Sequence, residues 1–177
     1  MNMVENNVGN KRRGKIFWFV PEKTEAIQFL EKKFALDNFE IEIIYNNTDY
    51  PDLLNDLIPK LRSQDNAQDL PIAIISEGTM VKLAVDILSS RDIAAQKLIL
   101  IDPKDDGTVK EKLHGICVPT MIISGVPMSK LYVLEHLSFH DLISGSVIKY
   151  IRPVKNSSLE NPTKVFNYLV GFIDDDL

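Results

Sequence analysis

The sequence predicts an α/β protein: a three-layer αβα sandwich around a six-stranded, mostly parallel sheet. Three observations predict it. Apolar runs alternate along the chain with segments of helical periodicity. Most of these runs are apolar throughout, as strands covered by helices on both faces must be. No repeat, low-complexity tract or linker divides the 177 residues, a length that suits one domain.

The elements follow in order. "KIFWFVP" (15–21) is an apolar, aromatic run ending at Pro21, a buried strand. Residues 22–36 place Ala26, Ile27, Leu30 and Phe34 at helical spacing. "FEIEIIYNN" (39–47) alternates Phe39, Ile41 and Ile43 with Glu40 and Glu42, which predicts a strand at a sheet edge. Residues 49–63 form a helix with Pro51 in its first turn and Pro59 inside it. "LPIAIIS" (70–76) is a fully apolar strand leading into the helix "TMVKLAVDILSSR". "QKLILIDP" (96–103) is the fourth strand, and "DGTVKEKLHG" (106–115) a short helix closed by Gly115. "VPTMIISG" (118–125), a helix over 129–144, the strand "SVIKYIRP" (146–153) and a helix over 161–175 complete the pattern. The aromatics Phe17, Trp18 and Phe19 are read as core.

Composition bounds the function. An apolar share of 45% supports a real core, and a net charge of −5 argues against nucleic-acid binding through a broad basic face. No apolar stretch is long enough to span a bilayer, and the N-terminus lacks a signal-type segment. A cytoplasmic protein is expected. The single cysteine, Cys117, is read as a buried structural thiol. Residues 1–14, with the basic cluster Lys11, Arg12 and Arg13, read as a flexible arm, and 15–177 as the single domain. The acidic end "DDDL" reads as a fray in water.

In such sheets, sites lie beyond the carboxyl ends of the strands, where strand order reverses. That places "PIAIISEGTM" (71–80) at the expected site. The second half, with "LPIAIISEGTMVKLAVDIL", "KLILIDP", "VPTMIISGVPMSKL" and "SSLENPTKVFNYLVGFI", resembles the later strands and helices of the α/β-hydrolase fold. The resemblance spans roughly residues 15–175 and implies a sheet of that type without its first hairpin and without a lid.

The resemblance also implies positions for a catalytic apparatus. The elbow motif Gly-x-Ser-x-Gly is laid on Ile74, Ile75, Ser76, Glu77 and Gly78, which makes Ser76 the candidate nucleophile. Asp102 is a substitute acid, the usual position being Met128. An oxyanion amide would come from the Val20–Pro21–Glu22 segment, but Pro21 has no N–H. The histidine position falls on Lys155 and Asn156. His114, His136 and His140 all precede the last strand, so no base is placed to activate a serine. Pro21, Glu22, Glu77, Gly78, Met128, Lys155 and Asn156 would form the rim of the site. The alternative for Ser76 is a helix N-cap, and for "DPKDDG" a turn.

The function expected from these residues is a catalytically inactive α/β-hydrolase-like protein, an interaction, accessory or ligand-binding module. The alternative is a divergent serine hydrolase of small esters or thioesters acting through Ser76. No metal and no cofactor are expected. Another protein, a second copy of the chain or a small molecule is expected as partner.

Overall fold

The structure, a computed structural model, describes residues 12–45, 50–65, 70–90, 93–126 and 131–175. Its six strands are β1 (Gly14–Val20), β2 (Phe39–Tyr45), β3 (Ile72–Glu77), β4 (Lys97–Ile101), β5 (Thr120–Gly125) and β6 (Val147–Ile151). The helices are α1 (Glu25–Leu36), α2 (Tyr50–Asp65), α3 (Val81–Ser89), α4 (Lys110–Leu113), α5 (Leu131–Leu142), α6 (Ser157–Glu160) and α7 (Pro162–Asp174). The strands run β2-β1-β3-β4-β5-β6, and every pairing is parallel.

Period-two alternation sorts the strand side chains onto two faces. Phe17, Phe19, Ile72, Ile74, Leu98, Leu100 and Ile122 meet helices α2 and α3 on one side. Ile16, Trp18, Ala73, Ile75, Ile99, Ile101 and Ile123 meet α1 and α7 on the other. Phe17, Trp18 and Phe19 are wholly buried, as their place in an apolar run predicts. Phe34 packs edge-on against Trp18, Phe39 and Phe166, tying α1 and α7 to the sheet.

The wetter face of 39–45 has the expected cause. β2 is an edge strand, and its Glu40 and Glu42 pair with Lys15 and Lys60. Arg12 also pairs with Glu40, while Arg13 pairs with Asp174 and stacks over Phe39 at 4.9 Å. Arg13 and the acidic end of α7 therefore meet each other, and Arg12 meets β2, rather than lying only in water.

Cys117 corrects an expectation: it is exposed. The apolar run 116–125 is not one strand. β5 starts only at Thr120, and Cys117 lies in the loop between α4 and β5, its thiol on the Gly115 carbonyl at 3.5 Å. No helix among the described residues is long and apolar enough to cross a membrane.

Candidate functional site

The order of the sheet reverses between β1 and β3: the chain leaves β1 for β2, then crosses back to β3. A crevice opens beyond the strand ends at such a point. There a cavity of about 50 Å³ is lined by Pro21, Glu22, Thr24, Ile27, Glu77, Asn156 and Leu159. Four of the expected rim residues, Pro21, Glu22, Glu77 and Asn156, thus meet in one place. Gly78 adjoins it, with Pro21 Cγ 3.5 Å from where a Cβ on Gly78 would stand. Met128 lies outside the described residues.

Each wall has a local cause. Thr24 caps α1 by accepting from the Ile27 amide at 3.2 Å, which fixes the turn after β1. Asn156 caps α6 by accepting from the Leu159 amide at 2.8 Å. Glu160 reaches back to the amides of Asn156 and Lys155, at 2.9 and 2.7 Å, in the manner of a capping box. Those two amide bonds hold the Glu160 carboxyl below its ordinary range. Lys155 itself is exposed and takes part through its backbone.

The turn after β3 falls two residues later than the elbow motif laid on the sequence. Ser76 is inside β3, opposite Leu100 and Phe19 in the register, and 0% exposed. Sharing the parity of Ile72 and Ile74, it faces the α2/α3 layer, and its hydroxyl has no hydrogen-bond partner. It does not cap a helix either: the chain enters a 3₁₀ turn (Gly78–Met80) before α3, with no side-chain cap. The backbone bends at Gly78, where φ is +58°. Only glycine adopts that conformation without strain.

Glu77 closes β3 on the opposite face, toward α1 and α6. It is 7% exposed, and its Oε2 makes no hydrogen bond. Burial, reinforced by the charges of Asp102 and Glu22, pushes its carboxyl up to about 7; the Ser158 hydroxyl stands close enough to oppose this, though not in hydrogen-bonding geometry. The hydroxyl of Ser158 is also buried without a hydrogen-bond partner.

Asp102, one strand over, is bound on every side. It stands just past β4 at φ +45° and is 8% exposed. Its Oδ1 accepts from the Gly125 amide at 2.5 Å and the Ser157 hydroxyl at 3.1 Å; its Oδ2 accepts from the Ser157 amide at 2.6 Å. Asp102 thereby clamps the end of β5 to the start of α6. Gly125 completes the joint, because a Cβ there would come within 3.0 Å of the Val154 carbonyl.

The sequence offered no sign of a second buried polar pair. Ser124 of β5 hydrogen-bonds His136 Nδ1 on α5, and both are buried. The two stand twelve positions apart, one on β5 and one on α5, so no local spacing marks the contact. His140 meets Ser146 at 2.8 Å, and His114 ends α4. In "DPKDDG", Asp105 and Asp106 accept from the Gly107 and Thr108 amides, both at 2.9 Å, as turn residues do. No group of metal-ligating side chains is found among the described residues.

The sequence matches no protein-family model and no curated protein. Solved structures do match. MenH from S. aureus is similar with a TM-score of 0.77 at 12% identity, covering 94% of this chain and 96% of that one. A predicted CIB-like hydrolase from Thermoplasma acidophilum is similar at 0.70 and 13% identity, covering 94% and 88%. The enol-lactonase from Burkholderia xenovorans LB400 is similar at 0.72 and 8% identity, covering 92% of each chain. With strand order, parallel pairing and these matches in agreement, the chain has the α/β-hydrolase fold.

Proposed function

We propose that this chain is a catalytically inactive protein of α/β-hydrolase fold, an accessory or ligand-binding module whose site is the pocket at the ends of β1 and β3. One observation carries the reading. The bend between β3 and α3, where a nucleophilic serine stands on a nucleophile elbow, is occupied by Gly78 with φ +58°. A glycine has no side chain to attack with.

The surrounding residues support the same reading. The Ser76 hydroxyl is buried in the α2/α3 core with no base in contact. His136 Nδ1 is engaged by Ser124. Lys155, at the histidine position implied by the resemblance, is exposed. Asp102 has both carboxylate oxygens occupied by amides and a hydroxyl. A small ligand is favoured over a protein partner because the unsatisfied polar group lies within a concave pocket rather than on a face.

A fluorophosphonate serine probe read by intact mass tests this. The folded protein is expected to remain unlabelled under conditions that label an active serine esterase fully. Labelling that disappears in Ser76→Ala would overturn the reading and establish Ser76 as a nucleophile.

A further inference from the structure

We propose that the pocket between β1, β3 and α6 receives the ammonium end of a primary alkylamine, with Glu77 as its anionic partner. The inference rests on the non-catalytic reading above and names the ligand class of the same site.

Four observations lead to it. Glu77 is buried, lines the pocket, and has a carboxylate oxygen without a partner. A buried acceptor left open is costly unless something donates to it. The cavity, about 50 Å³, holds a few water-sized groups, which admits an ammonium and its first methylenes but not a sugar or a base ring. The walls are chemically divided. Glu22 and Glu77 supply carboxylate oxygens beside the helix-capping side chains of Thr24 and Asn156, while Pro21, Ile27 and Leu159 supply hydrocarbon. Leu159 is 46% exposed at the mouth, where an alkyl chain leaving the pocket would cover it.

Charge selects the cation. The charged groups that act on Glu77 are Asp102 from the end of β4 and Glu22 after β1, both acidic; Ser158 of α6 is the polar group that counters them. An anionic ligand would meet the carboxylates of Glu22 and Glu77, with the Asp102 charge behind them. A neutral alcohol could donate one hydrogen bond but would leave their repulsion in place. An ammonium donates three hydrogen bonds and relieves it.

The raised titration of Glu77 gives the site a pH signature. An alkylammonium stays protonated to about pH 10. Glu77 is ionised above about 7. Binding is therefore strongest on the alkaline side of neutrality and weakens as Glu77 takes up its proton.

The test is an amide NMR titration of the full chain with n-pentylammonium chloride, and with 1-pentanol as the neutral isostere. At about pH 8, saturable shifts are expected at the amides of Glu22, Glu77, Gly78 and Asn156, with pentanol weaker by about tenfold or more. At about pH 5.5 the amine should bind about tenfold more weakly or worse. Glu77→Gln, which keeps shape and removes charge, should abolish both the preference over pentanol and the pH dependence. Should that variant not fold, Leu159→Lys at the exposed mouth sets a tethered ammonium against the ligand and should suppress the response. Equal binding of pentanol and amine, tighter binding at acid pH, or an unchanged response in these variants would overturn the proposal. The serine probe on the same sample separates the two readings. No labelling with no amine response defeats the amine proposal alone, whereas labelling defeats the non-catalytic reading itself.

Discussion

Glu77 and Asp102 stand at the ends of adjacent strands, equally buried, and could hardly differ more in their surroundings. Asp102 accepts three hydrogen bonds from Gly125 and Ser157. Glu77 has an oxygen that accepts none. The sequence assigns both residues to the candidate site, Glu77 at its rim and Asp102 as a substitute acid, and the difference gives them opposite work. A carboxylate saturated by backbone amides holds the fold and is closed to a ligand. A carboxylate left open destabilises the fold and has hydrogen-bonding capacity to give.

Asp102 should therefore give the largest stability effect. Asp102→Ala strands two buried amides and a hydroxyl, and about 3–5 kcal/mol should be lost in denaturant unfolding. Asp102→Asn should lose less, about 2–3 kcal/mol, because one acceptor oxygen becomes a donor facing a donor. A variant of either kind that unfolds like the native protein would break the comparison. Asp102→Asn also sharpens it: with that charge removed, the Glu77 titration followed by NMR should move down from about 7.

Glu77 should act in the reverse sense. Its carboxyl titrates near 7 in the fold against an ordinary 4.5, so the folded chain holds the proton more tightly than the unfolded chain. Stability consequently falls as pH rises from about 4.5 through 7, by up to roughly 3 kcal/mol for this group alone. Glu77→Gln should flatten that slope and be relatively more stable at about pH 8 than at pH 5. Chemical denaturation across that range decides it, and an unchanged slope in the variant would mean that another group carries the pH dependence.

How much of this contrast was legible beforehand depends on what local pattern can encode. The sheet was legible because its strands are uninterrupted apolar runs separated by helical periodicity, and each of the six lies where its run lies. The edge position of β2 was legible because Glu40 and Glu42 break the apolar pattern. The elbow was misplaced because Ser76 and Glu77 look like the polar end of a strand, whereas both are buried within it and the bend waits for Gly78. For Cys117, apolar neighbours on both sides suggest burial, whereas it lies exposed in the loop before β5. The Asp102–Ser157 clamp and the Ser124–His136 pair join residues 55 and 12 positions apart, and only the fold brings them together.

Gly78 tests the turn itself, with a smaller effect. A Cβ there meets only Pro21 at an ordinary 3.5 Å, so Gly78→Ala costs backbone strain and little else, about 1–2 kcal/mol. Gly78→Ser restores a hydroxyl at the bend at a similar cost. It should still fail to react with a fluorophosphonate, because no histidine contacts the position. Labelling of this variant would show that the pocket retains a base and would reopen the catalytic reading.

The smallest effect belongs to a third carboxylate, and it separates titration from stability. Asp106 is held well below the usual carboxylate range by Thr108, first of all, and by Lys82. Such a depression is stability present above the ordinary aspartate range and lost as pH falls through the depressed value. Yet the side chain is 46% exposed and its Lys82 partner 30%, so water screens the pair. Asp106→Asn should therefore cost no more than about 1 kcal/mol, and less at high salt. A loss approaching that of Asp102→Ala would mean that the Asp105–Thr108 turn anchors the loop after β4, and that exposure does not discount its hydrogen bonds.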